Sequence, residues 1–287
     1  MAFQKTVDIV DAFVHFPSSE DAAFDWLDPV LGPQRYAKSE RLPVGYLFKK
    51  PPMLPDGADP VDFVIAAMDK HGVNKAIVDV TNPDGAGRKA IRAHPDRFRG
   101  TFSIDPNAGM HSVRELTAAY EELGICAASA GPAFFSPQVP IDDRKFYPFY
   151  AKCVELDIPI CMTTGVPGPR VPMAAQEISR LDEVCWYFPD LKVVMRHGAE
   201  PWQALAVKLM LKWPNLYYST SAFSPRHYPK EIIDFANTRG SDKIIYAGYF
   251  AVGLTLDRIF SEFEDLPLSE EVWPKFLGEN ARHVFGL

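Results

Sequence analysis

Apolar and polar positions alternate between two textures along the chain. Short, nearly continuous apolar runs recur, and between them lie segments whose apolar residues return every three or four positions. The first texture is that of strands buried on both faces, the second that of helices covering them. Strands are expected over 7–16, 75–80, 98–105, 125–129, 158–164, 192–197, 216–221 and 243–249. Asp59-Pro60 supplies an N-cap and a first-turn proline for a helix that Gly72 closes. Ser112 to Glu115 has capping-box spacing, with Gly124 as the stop. Further helices are expected over 86–94, 145–156, 172–187, 201–212, 230–238, 255–265 and 269–284, and a short one over 23–31.

Eight strands, each followed by a helix, predict an α/β fold of the (β/α)8 TIM-barrel type. The competing architecture is a doubly wound open sheet, yet no GxGxxG or Walker loop follows any strand. The whole chain, 1–287, reads as one domain. Between the first strand and the first long helix, Pro29, Pro33, Pro43, Pro51, Pro52 and Pro55 break up a stretch with interleaved aromatics. This insertion, 17–58, is a candidate lid.

Composition narrows the class. The chain has 287 residues, 47% hydrophobic and 23% charged, with a net charge of −7. That balance excludes nucleic acid and anionic membrane as main partners. Cys126, Cys153, Cys161 and Cys185 show no CxxC spacing and read as buried free thiols. Met1 to Lys5 leads into a strand without an apolar signal core, and no run approaches the ~20 apolar residues of a membrane span. A cytoplasmic protein is expected.

Chemistry in such a barrel sits at the C-terminal ends of the strands. The polar residues expected there are Asp11, His15, Asp79, Asp105, Ser129, Thr163, Thr164, Arg196, His197, Ser219, Ser221 and Tyr249. His15 and His197 are the sharpest pair, because imidazoles titrate near neutral pH and serve as acid, base or metal ligand. The bland alternative is two hydrogen-bonded structural histidines. Alternation in the first strand puts Asp11, Phe13 and His15 on one face, where Asp11 either orients His15 or bonds backbone. Arg170, on a Pro-Gly loop after the fifth strand, and Arg196 are candidate clamps for a substrate carboxylate.

Several motifs carry a resemblance. Glu279-Asn280-Ala281-Arg282-His283-Val284-Phe285-Gly286-Leu287, Arg97-Phe98-Arg99-Gly100 with Ile104-Asp105-Pro106, His197-Gly198-Ala199-Glu200-Pro201-Trp202, and Asn215 to Ala222 together resemble the amidohydrolase-2 branch of the amidohydrolase superfamily. The likeness spans nearly the whole chain apart from 17–58. It implies a (β/α)8 barrel holding one divalent metal, often zinc, in enzymes that hydrolyse amides and lactones or decarboxylate aromatic and unsaturated acids. The family's ligands are HxH on strand one, histidines on strands five and six, and an aspartate on strand eight. Here the HxH becomes Phe13-Val14-His15, Thr163 stands at the strand-five position, His197 is kept, and Tyr249 replaces the aspartate.

Two imidazoles fall short of the three protein ligands a catalytic zinc normally has. The expectation is therefore a metal-free site, the alternative a weakly held divalent metal such as zinc at His15 and His197. In the metal-free reading His197 and His15 move protons and Asp11 supports them. Tyr249 donates to developing negative charge. Arg170, Arg196, Thr163, Ser219, Ser221 and Phe13 bind a small, anionic substrate. The expected activity is hydrolysis of an ester or lactone, resting on family analogy. A lyase (decarboxylase or hydratase) and an inactive binding barrel are the alternatives, and a homodimer is the candidate assembly.

Overall fold

In the computed structural model of the chain, residues 7–17, 27–31, 44–48 and 52–287 are described. Eight strands form one parallel sheet in sequence order: β1 (Ile9–Val14), β2 (Val73–Asp79), β3 (Phe98–Ser103), β4 (Ala127–Ala130), β5 (Ile160–Thr163), β6 (Val193–Arg196), β7 (Leu216–Ser219) and β8 (Ile244–Ile245). The sheet curls back on itself. The Ala12 N–H donates to the Tyr246 carbonyl, and Val14 bridges Phe250, so the first strand meets the segment after the last. This is a TIM barrel, as the alternating pattern predicts.

The helices follow the expected spacing with instructive exceptions. A single turn, α1 (Asp28–Leu31), is what is described of the expected 23–31 helix, whose first residues lie outside the described ones. Next, α2 (Pro60–His71) has the predicted caps: Asp59 accepts from the Val61 and Asp62 N–H groups, and Gly72 is left-handed. After α3 (Ala86–Ala93), α4 (Met110–Leu123) starts at Gly109, ahead of the expected capping box. Ser112 is instead buried, and its hydroxyl accepts from the Asp105 N–H to tie the β3 exit to the helix. Then come α5 (Tyr147–Glu155) and α6 (Leu181–Tyr187), the latter preceded by two short 3-10 turns where one helix over 172–187 was expected. α7 (Gln203–Lys212) begins two residues after Pro201. α8 (Lys230–Ala236), α9 (Leu256–Glu262) and α10 (Asn280–Phe285) complete the set.

Strand alternation divides the core in two. Ala76, Val78, Phe98, Phe102, Ala128, Ile160, Met162, Val193, Met195, Leu216, Tyr218 and Ile244 pack with helix residues such as Val64, Met68 and Leu116. The residues between them, Val10, Ala12, Ile77, Ala127, Cys161, Val194, Tyr217, Ile245 and Ala247, pack with one another and with Ala281, Val284 and Phe285. The first set faces outward under the helices. The second fills the barrel interior, with α10 packed against it. All four cysteines are buried and free, as expected. Among the described residues no helix is long and apolar enough to cross a membrane.

Continuing the inward set by two residues along each strand gives the mouth. Ile77 leads to Asp79, Ala127 to Ser129, Cys161 to Thr163, Val194 to Arg196, Tyr217 to Ser219, and Ala247 to Tyr249. On β3, where Phe98 and Phe102 face out, the inward positions are Thr101 and Ser103.

Candidate active site

β1 does not alternate cleanly. Its pairing with β2 shifts register between Asp11 and Val14, and the shift separates Asp11 from the two residues expected on its face. Phe13 and His15 stay together, ring centroids 4.6 Å apart. Asp11 is fully buried elsewhere: its Oδ1 accepts the N–H groups of Phe13 (3.0 Å) and Gly248 (2.8 Å). A Cβ on Gly248 would lie 2.5 Å from Asp11 Oδ2, 2.7 Å from the Tyr246 hydroxyl and 3.2 Å from Ile259 on α9. The carboxyl therefore pins the seam between β1 and the chain after β8, and makes no hydrogen bond to His15. Burial raises it from 3.8 to about 7, against the opposing pull of the Gly248 and Phe13 N–H groups it accepts and of the nearby Tyr246 hydroxyl.

β6 ends in a sharp reversal. His197, Gly198 and Ala199 all take positive φ (66°, 96° and 54°), as does Tyr249 (57°) after β8. Non-glycine residues rarely adopt this region, and such outliers cluster at functional sites. By alternation His197 would turn away from the interior. The reversal brings its ring instead to 5.1 Å from Phe13 and 5.2 Å from Tyr249, edge-on to both. Tyr249 stacks on Phe13 at 5.4 Å with an 8° interplanar angle and meets His15 edge-on at 6.4 Å.

One guanidinium joins these rings. Arg196 is 4% exposed, and its Cζ lies 4.6 Å over the Phe13 ring. Such a contact contributes roughly 1–2 kcal/mol when desolvated. Among the described residues its Nη2 has no hydrogen-bond partner. Leaving a charged donor buried and unpaired costs more than the ~1–3 kcal/mol of a neutral one. An unpaired cation in a partly desolvated mouth would gain from an anionic partner.

The histidines differ from expectation in charge. Burial lowers His15 to about 4, with nearby Asp79 pulling up and Arg196 pushing down. Burial lowers His197 to about 3, and the charges of Arg196 and His15 add to the effect. Titration near neutrality does not follow: both rings are neutral there. Ser221 accepts the His197 backbone N–H (3.1 Å) and pairs with ring Nδ1 (2.9 Å). Burial also pushes Tyr249 up to about 12, so its hydroxyl keeps its proton as a donor.

The remaining candidates fall into place around this group. Ser219 is buried and donates to the Met195 carbonyl, with Ser221 3.4 Å away. Thr163 pairs in register with Arg196. Arg170 is exposed, its guanidinium 4.9 Å over the Tyr46 ring. Tyr46 donates to the Gly168 carbonyl, and Phe48 lies 5.6 Å from Tyr249. The turn 44–48 thus rests on the loops after β5 and β8, while most of the expected lid lies outside the described residues.

Sequence reasoning missed the opposite wall as a unit. Asp79 Oδ2 accepts from the hydroxyls of Ser103 (2.6 Å) and Thr81 (3.1 Å), and Ser103 Oγ lies 3.1 Å from Ser129 Oγ. Ser103 and Thr81 were findable only by fixing which β3 residues face inward. A cleft of about 620 Å³ lies elsewhere, lined by Asp142, Arg180, Asp182, Trp186, Lys212 and Trp213 among others. Its two cations are already paired, Lys212 with Asp182 and Arg180 with Asp142. The barrel mouth, where the strand-end polar residues gather, is the candidate site.

Fold and mouth together define a TIM-barrel protein with a small polar site at the C-terminal ends of its strands. The amidohydrolase profile, of the amidohydrolase-2 type, matches residues 10–287, and the chain belongs to that family. Over 129 residues it is 28% identical to the 2-keto-4-carboxy-3-hexenedioate hydratase of Sphingobium sp. (strain NBRC 103272 / SYK-6), a match covering 38% of this chain and only 37% of the hydratase. An uncharacterised TIM-barrel protein of Bordetella bronchiseptica is 23% identical with a TM-score of 0.78, covering 98% of this chain and 99% of that one. A dihydroxybenzoic acid decarboxylase of Polaromonas sp. JS666, solved with bound manganese and 2-nitroresorcinol, is 17% identical with a TM-score of 0.65 and 98% coverage of both chains. At these identities the two structures show the shared fold.

The family implies a divalent metal, and the donors present here do not fit one. Among the described residues no three of His, Cys, Asp or Glu gather as a ligand set. The Phe13 ring packs against both imidazoles, and the Arg196 guanidinium stacks on that ring. A fixed cation beside two neutral nitrogens disfavours a second, doubly charged one.

Proposed function

We propose that the protein is a lyase, a hydratase or decarboxylase, acting on a small unsaturated or aromatic carboxylic acid. The observation that carries this reading is the buried Arg196 with its unpaired Nη2 over Phe13. A substrate carboxylate supplies the missing partner, and a flat conjugated group suits the aromatic walls of Phe13 and Tyr249. The named hydratase and decarboxylase relatives support a lyase over the ester or lactone hydrolase expected from the sequence.

The residues divide the work as follows. Arg196 fixes the carboxylate and stabilises negative charge spreading into it. Tyr249, protonated throughout the working range, donates a hydrogen bond to the same charge. In the tautomer whose Nδ1–H donates to Ser221, neutral His197 presents Nε2 as an acceptor, and His15 packs edge-on against Phe13. Thr163 and Ser219 line the floor. Asp11 acts on the backbone of the seam.

The test is a screen of the purified protein against conjugated carboxylic acids, with 2-keto-4-carboxy-3-hexenedioate and hydroxybenzoates among them. Loss of the conjugated absorbance is followed in parallel with hydrolysis of ester and lactone substrates. The expected result is turnover of a carboxylic acid that Arg196→Gln reduces by roughly 10²–10³-fold. Turnover of neutral esters or lactones, with every acid left untouched, overturns the reading.

A further inference from the structure

The wall across the barrel from Arg196 has its own directionality. Val14 pairs with Val78, so the next residues on β1 and β2, His15 and Asp79, stand side by side at the mouth. Asp79 pairs with Thr101, and Ser103 with Ser129. Asp79, Thr101, Ser103 and Ser129 thus occupy inward positions on three consecutive strands.

Their protons can be counted. A carboxylate only accepts, so the single hydroxyl proton of Ser103 goes to Asp79 Oδ2 at 2.6 Å. The 3.1 Å contact between Ser103 and Ser129 is then donated by Ser129. Thr81 spends its own hydroxyl proton on Asp79 and accepts the Ser103 N–H. The relay Ser129 to Ser103 to Asp79 therefore ends at Ser129 Oγ with its lone pairs free and its electron density raised by the carboxylate behind it. Ser129 is 7% exposed, and one layer down the buried Thr101 hydroxyl has no hydrogen-bond partner among the described residues. Ser129 Oγ thus offers an acceptor backed by a carboxylate, a poor place for a second anion.

We propose that Ser129 and Ser103, polarised by Asp79, form a subsite for a neutral hydroxyl group carried by the carboxylate ligand. The proposal rests on the anion reading of Arg196 and deepens it. The ligand has an acid group at one end and an O–H donor, not a second carboxylate, directed at the β2–β4 wall.

Binding of benzoate, the three hydroxybenzoates and the three methoxybenzoates, measured by calorimetry, tests it. At least one hydroxybenzoate is expected to bind about 5–30-fold tighter than benzoate, the range for one hydrogen bond into a charge-backed acceptor. The matching methoxybenzoate, which cannot donate, shows no gain. Ser129→Ala and Asp79→Asn each remove the gain while benzoate affinity stays within about threefold. Equal binding of hydroxy and methoxy acids, a gain that survives both variants, or benzoate binding with no gain for any isomer overturns the subsite alone. Failure of every acid, benzoate included, overturns the anion reading and with it the substrate class.

Discussion

Two charged groups are buried in this barrel, on β1 and β6, and they differ in what they can do about it. Asp11 sits in the seam between β1 and the chain after β8, Arg196 in the mouth, and each has one polar atom without a partner, Oδ2 and Nη2 respectively. The carboxyl has an internal way out. With burial lifting it to about 7, it takes up a proton and meets the Tyr246 hydroxyl as a neutral group. A guanidinium keeps its charge in any protein setting. A buried orphan that can discharge needs nothing from outside, whereas one that cannot calls for an external counter-ion. On this ground we assign Asp11 to the architecture and Arg196 to the proposed ligand.

Replacing Arg196 by methionine tests that contrast most severely. The substitution keeps an apolar stem against Phe13 and removes the unpaired charge, so stability is expected to hold or rise by about 1–2 kcal/mol. Carboxylic acid turnover falls by roughly 10²–10³-fold in kcat/KM. Thermal melts and kinetics on one preparation decide it. A variant that loses several degrees of melting temperature but keeps its turnover reverses the assignment.

Asp11→Asn probes the other member. The folded carboxyl holds its proton up to about pH 7, the unfolded one only to its ordinary value of 3.8. Its contribution to folding is therefore fully present below about pH 4 and is lost as pH rises through 7. Asparagine keeps an acceptor for the Phe13 and Gly248 N–H groups and never ionises. Denaturant titrations should find the variant more stable than the parent by roughly 1–3 kcal/mol at pH 8, with no difference near pH 4. Turnover at pH 7 stays within about twofold. A variant destabilised equally at both pH values shows that the ionised carboxylate is what the seam requires.

How much of this was written in the residue order follows from the same two places. The eight strands and the His197 turn are legible because buried parallel strands are continuous apolar runs, and a glycine after a basic pair marks the exit. The caps of α2 follow because Asp59, Pro60 and Gly72 each satisfy a local rule. Asp11 was placed on the wrong face because a register shift depends on the partner strand, which local alternation cannot see. The neutrality of His15 and His197 depends on how many rings crowd them and on the nearby guanidinium. Both are properties of packing, not of spacing. Ser103 and Thr81 escaped notice because nothing in FRGTFS says which of its faces is inward until Phe98 and Phe102 are found under the helices.

Tyr249 gives the smallest expected effect and the finest division of wall from site. Its ring stacks on Phe13 and packs near Phe48, a structural duty that phenylalanine performs equally well. Its hydroxyl, lifted to about 12 by burial, adds only a hydrogen-bond donor. Tyr249→Phe should therefore leave the melting temperature within about 2 °C while lowering kcat by roughly 5–30-fold, the size of one donor to developing charge, with KM nearly constant. A change confined to KM would place the hydroxyl on the ground-state carboxylate beside Arg196. Unchanged kinetics would move Tyr249 out of the chemistry and into the company of Asp11, as a residue that holds the barrel closed.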